Sequence, residues 1–133
     1  MKLGSVEEWT IVNTHEHDDH VFHIHTNPFV IVKLNDKPLA KPQWRDTAIV
    51  ERKSGALTFR SRFLDYTGIF MLHCHMMNHE EMGMMQTVEV YRGRGKTHLQ
   101  RTAGRRPQSD FGRICELIQA VRPGSPAAAV RHQ

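Results

Sequence analysis

Two short windows hold most of the histidines in the chain. "HVFHIH" (20–25) carries three and "HCHMMNH" (73–79) carries three more around Cys74; eight of the ten histidines lie between His15 and His79. If both windows are strands, the spacing is a strong constraint, because successive side chains on a strand point to opposite faces. His23 and His25 then share one face and His20 takes the other. In the second window His73 and His75 share a face, and Cys74 points away from them. Each strand so offers a pair of imidazoles on one side and a single donor on the other.

The remainder of residues 1–91 agrees with a β-rich chain. "VEEWTIVN" (6–13) and "NPFVIVKLND" (27–36) read as strands, the second closing in an Asn/Asp turn. "ALTFRSRF" (56–63) alternates, with Leu57, Phe59 and Phe63 on one face and Thr58, Arg60 and Arg62 on the other. "GIFMLHCH" (68–75) and "MMQTVEVY" (84–91) follow the same chemistry, and "MMNHEEMG" (76–83) between them suits a loop or one helical turn. Several short strands separated by turn residues imply an all-β antiparallel sandwich or barrel.

At 133 residues the chain is one domain's worth. No apolar run is long enough to span a bilayer, and "MKLGSVEEWT" lacks the apolar stretch of a signal peptide. Cys74 and Cys115 are far apart, which argues against a disulfide framework. Residues 1–91 hold nine Lys and Arg against twelve Asp and Glu, net −3, whereas residues 92–133 hold nine against two, net +7. The basicity therefore belongs to the tail. With one aromatic, Phe111, and no base-stacking motif, that tail is read as a solvated, largely disordered extension with no nucleic-acid role. It carries one short helix at 109–122, with Ser109 as N-cap and Phe111, Ile114, Leu117, Ile118 and Val121 as an apolar stripe.

The parity argument makes two donor groups back to back. One gathers His20, Cys74 and His79, with Met84 within reach as a fourth. A thiolate, two imidazoles and a weak thioether form the ligand set of a blue-copper site. The other gathers His23, His25, His73 and His75, an all-imidazole set that suits copper, iron, nickel or zinc. Structural zinc sites usually pair cysteines at Cys-x(2–4)-Cys spacing, which is absent. His15 and His17 are a lone His-x-His pair, a pattern more often fortuitous than ligating. Met71, Met76, Met77, Met82 and Met85 are read as packing residues.

Both windows resemble motifs of the multicopper oxidases, the laccase-like family. "HVFHIH" is similar to its His-x-x-His-x-His element and "HCHMMNHEEMGM" to its His-Cys-His-x3-His-x4-Met element. "NPF", "WRDT" (44–47), "RSRFLDYTG" (60–68) and "GMMQTVEVY" (83–91) also agree. The likeness, over about residues 4–91, is to the C-terminal cupredoxin domain. It implies a cupredoxin-like Greek-key β-sandwich, N-terminally incomplete, at 1–91, with 92–133 as the tail.

Carried over, the resemblance makes His20, Cys74, His79 and Met84 the type-1 copper ligands, His23 a type-2 ligand, and His25, His73 and His75 type-3 ligands. Cys74, His73 and His75 are then the catalytic link between the sites. The implied reaction is one-electron oxidation of phenolic or metal-ion donors, coupled to reduction of dioxygen to water. Asp18, Asp19, Glu80 and Glu81 are candidates for proton-relay or substrate-side carboxylates. The family's cluster also takes four histidines from an N-terminal cupredoxin domain, so a missing domain or a partner subunit is expected to supply them. A periplasmic or extracellular address is implied by the family. The alternatives are a non-enzymatic blue-copper electron-transfer or copper-binding module, and an inactive truncated fragment.

Overall fold

The computed structural model describes residues 1–93, and the helix expected at 109–122 lies outside them. The described elements are β1 (Val6–Asn13), β2 (His20–Ile24), β3 (Phe29–Leu34), β4 (Lys37–Arg45), β5 (Thr47–Val50), β6 (Gly55–Arg62), β7 (Gly68–Cys74), α1 (Met77–Glu81) and β8 (Met85–Val90). They form two four-stranded antiparallel sheets, ordered β1-β6-β3-β4 and β5-β2-β7-β8. No helix among the described residues is long and apolar enough to cross a membrane.

Alternation on β6 builds the core. Leu57, Phe59, Ser61 and Phe63 face inward and are buried, while Arg60 and Arg62 face solvent. Thr58, expected on the exposed side, is buried instead, because β6 is a central strand and Thr58 meets Thr10 of β1 at 3.0 Å between hydroxyls. Phe59 is the hub, with ring centroids 4.6 Å from Phe29, 5.1 Å from Phe22 and 5.7 Å from Trp9. Aromatic contacts of this kind contribute beyond area burial. They join β1, β3 and β6 of one sheet to β2 of the other.

The strand expected at 27–36 is confined to Phe29–Leu34; Asn35 and Asp36 form a two-residue hairpin turn with φ of 48° and 61°, the positive values such turns require. Two strands escape a reading from sequence, β4 and β5. "KPLAKPQWR" holds two prolines, which a central strand rejects and an edge strand tolerates; β4 is the edge of its sheet and mostly exposed. β5 has only four residues and is likewise an edge. Between these edges a cleft of about 470 Å³ opens onto Val21, Ile31, Leu34, Ile49 and Val50.

The turn from β5 to β6 is tight. Lys53 and Ser54 take positive φ, and a Cβ on Gly55 would lie 2.2 Å from the Glu51 carbonyl oxygen. Gly55 also pairs with Asn13 at the end of β1. Gly55→Ala is therefore expected to destabilise the chain by about 1–3 kcal/mol, the usual cost of forced overpacking, seen as a lower urea midpoint. An unchanged midpoint would show that the turn relaxes freely.

Candidate metal centre

Pairing of β2 with β7 sets Phe22 opposite Cys74, His23 opposite His73 and Ile24 opposite Leu72. On β2 the inward side chains are His20, Phe22 and Ile24, all buried; on β7 they include Leu72 and Cys74. The apolar neighbours thus take His20 and Cys74 into the sandwich. His23, His25, His73 and His75 are left on the opposite face of the same sheet.

On the inner side, His79 arrives from α1 and completes a triad. His20 Nδ1 lies 3.2 Å from His79 Nδ1, and Cys74 Sγ lies 3.8 Å and 3.6 Å from these two nitrogens. Metal bonds of about 2.0 Å to nitrogen and about 2.3 Å to sulfur, meeting at tetrahedral to trigonal angles, separate the donors by about 3.3–3.5 Å and about 3.5–3.7 Å. The triangle has the dimensions a metal ion needs. His20 Nε2 is buried without a hydrogen-bond partner among the described residues, so Nδ1 is the engaged nitrogen of that ring. Met84 is half-buried, and its backbone braces the triad: its carbonyl accepts from Cys74 N–H at 3.0 Å, and its N–H donates to the His79 carbonyl at 3.0 Å.

On the outer side, His23, His25 and His73 bring one ligand atom each to within 4.8 Å of one another. His25 Nε2 and His73 Nε2 are 3.1 Å apart. His73 Nδ1 donates to the Cys74 carbonyl at 3.1 Å, and His23 Nδ1 to the Asp46 carbonyl at 2.8 Å. His75 stands outside this tightest group and is exposed, with ring centroids 5.2 Å from His23 and 5.4 Å from His73. Cys74, on the inner face, is bonded through the backbone to His73 and His75 on the outer one.

His15 and His17 join neither group. Asp18 N–H donates to His15 Nδ1 at 2.9 Å, and Asn13 pins the loop, its Oδ1 accepting from His15 N–H and its Nδ2 donating to the Asp18 and Val50 carbonyls. His15 nonetheless packs 5.8 Å from the His20 ring, a neighbour that strand parity does not reveal. Asp19 is engaged by Arg52, whereas Glu80 lies 3.5 Å from His73 Nδ1. Asp46 and Thr47, beside His23, also escaped notice as site residues. Their only signal was the "WRDT" stretch, since the contact depends on how β5 registers against β2.

Burial first, then His79 and His15, hold His20 below its ordinary value of 6.5. Desolvation first, then His23 and His73, lower His25. The fold therefore prefers both rings neutral, the form that binds metal. A depressed imidazole leaves stability whole above the unfolded value and reduces it as pH falls through 6.5 toward the folded value. The metal-free chain is accordingly expected to have a lower urea midpoint at pH 5 than at pH 7.5, and His20→Gln to flatten that dependence. A midpoint that stays level across this range would contradict the assignment.

The multicopper oxidase family model matches residues 1–94. Among curated relatives, the multicopper oxidase mco of Staphylococcus epidermidis is 29% identical over 92 residues, covering 67% of this chain and 21% of the relative. The laccase of Bacillus subtilis is 26% identical over 109 residues, with the same coverage. Among solved structures, a multicopper oxidase from Campylobacter jejuni, described as a metallo-oxidase, superposes with a TM-score of 0.61 and 39% identity, over 70% of this chain and 20% of that one. A laccase from Pediococcus acidilactici gives 0.63 and 30%, over 68% and 20%. The chain thus spans about a fifth of the length of these relatives. Since the match runs through the whole described sandwich and takes in both histidine strands, the chain belongs to the multicopper oxidase family.

Proposed function

We propose that this chain supplies the type-1 copper site and one half of a trinuclear copper cluster to a laccase-like oxidase. The observation that carries the reading is the triangle of His20 Nδ1, Cys74 Sγ and His79 Nδ1, whose sides of 3.2 to 3.8 Å leave room for one ion. One thiolate with two imidazoles is a donor set for copper in electron transfer, and Met84 would supply a weak thioether as a fourth donor. His23 would serve a type-2 ion, and His25, His73 and His75 the type-3 pair. Copper in these positions supplies one-electron oxidation of a phenolic or metal-ion donor and reduction of dioxygen to water.

The chain's own residues divide the remaining work. Cys74 bridges the two groups covalently, and the His73 hydrogen bond to the Cys74 carbonyl shortens that bridge. His20 is buried and His79 half-buried, so a reductant reaches the triad on the His79 side, past Met77 and Met82, both exposed on or beside α1. Glu80, 3.5 Å from His73 Nδ1, is placed to hold a proton beside the outer group. The four further histidines of the family's cluster are expected from another cupredoxin domain or subunit facing His23, His25, His73 and His75, at a periplasmic or extracellular address.

A second reading has its own observation. The inner triad is assembled wholly within the described sandwich, whereas in the outer group His25 and His75 are exposed. Alone, the chain would then act as a blue-copper electron carrier. Titrating the full chain with Cu(II) should raise an intense visible thiolate band that Cys74→Ser abolishes; a colourless complex would refute the type-1 assignment. Oxygen uptake with a phenolic donor tests the outer group: none is expected from the chain alone, and turnover by it would show that the outer group needs no partner.

A further inference from the structure

His23 is held by more than its strand. Its Nδ1 lies 2.8 Å from the Asp46 carbonyl oxygen and 3.0 Å from Thr47 Oγ1. A carbonyl only accepts, so Nδ1 carries the ring proton. Thr47 Oγ1 in turn lies 3.1 Å from Asp46 Oδ1. A carboxylate also only accepts, which commits the hydroxyl proton to Asp46 and turns an oxygen lone pair toward His23. The result is a directed chain from imidazole N–H to hydroxyl to carboxylate.

We propose that Thr47, backed by Asp46, is a positioning residue for His23, fixing its proton on Nδ1 so that Nε2 presents the lone pair to a metal ion. Three features support a dedicated arrangement. Thr47 is the residue directly across from His23 in the β2–β5 register. The Asp46 carbonyl is shared, since it also accepts Ile24 N–H at 3.3 Å, which leaves the hydroxyl a real share of the work. Finally, a cavity of about 430 Å³ bordered by His23, His25 and Asp46 opens beside the ring. Its size admits water at the ring edge that Asp46 and Thr47 leave free, so dryness does not by itself select the tautomer. An orienting partner on the far nitrogen of a ligating histidine also raises ligand basicity, and its loss typically costs about 10–100-fold in metal affinity.

The consequence for metal rests on the copper reading above, whereas the tautomer does not, and the test separates them. Long-range proton–nitrogen correlation spectra of the metal-free full chain at pH 8 report which nitrogen of His23 is protonated. Wild type and Thr47→Ser should show the Nδ1–H form. Thr47→Val, matched in shape and β-branching, should bring up the Nε2–H form. Asp46→Ala keeps the carbonyl but frees the hydroxyl proton to turn toward the ring, and should shift the tautomer the same way; it serves if Thr47→Val does not fold. Cu(II) titration in a Cys74→Ser background should then show about tenfold weaker binding for Thr47→Val, restored by Thr47→Ser. An unchanged His23 tautomer in the folded variants would overturn the proposal, because the Asp46 carbonyl alone would suffice. A shifted tautomer with unchanged Cu(II) affinity would uphold the positioning role and instead reject His23 as a ligand.

Discussion

The β2–β7 pairing is the constraint on which everything else hangs. Two neighbouring antiparallel strands in one register place Phe22 beside Cys74 on one face and His23 beside His73 on the other. The period of two in a pleated strand then sorts donors by face without any loop having to choose. The apolar residues interleaved with the histidines decide which face is interior. Phe22, Ile24 and Leu72 take the sulfur-bearing group inward, against the aromatic hub at Phe59.

That inward placement sets the electrostatics. His20 and His79 turn Nδ1 atoms toward each other and toward the Cys74 sulfur, and at most one proton fits between the two nitrogens. Converging lone pairs repel until a cation or proton arrives, and burial makes the proton costly at His20. Burial thus keeps the His20 ring in the neutral form, the form that metal binding uses. A metal that binds the folded form alone also adds its binding free energy to the fold. The Phe59 cluster and Asn13 hold the strand and its preceding loop in place.

Much of this was legible in the chain. β1, β6, β7 and β8 follow from alternation and β-formers, and parity divides the strand-borne donors of both windows into their two sets, whereas His79 comes from α1. The short helix at Met77–Glu81 falls where polar and turn-forming residues interrupt the strands. Other features depend on tertiary placement and could not be read. Pro38 and Pro42 disguise β4, whose edge position makes their missing N–H groups harmless. The approach of His15 to His20, and the hydroxyl of Thr47 on His23, come from a loop pinned by Asn13 and from the register of β5. The first is a contact between one loop and the strand it leads into and the second one between strands, and neither has a periodicity to announce it.

The opposition of neighbouring side chains on β7 also says how such a domain can change over time. Adding or deleting one residue within Gly68–Cys74 or His20–Ile24 would exchange the faces of every donor beyond it, sending sulfur to the solvent side and imidazoles into the hydrocarbon core. Length variation is thus excluded from the two middle strands of this sheet. It is left to the connections, such as the Asn35–Asp36 turn and the 14–19 loop between the sheets, while the spacing between the two halves of the site stays one peptide unit.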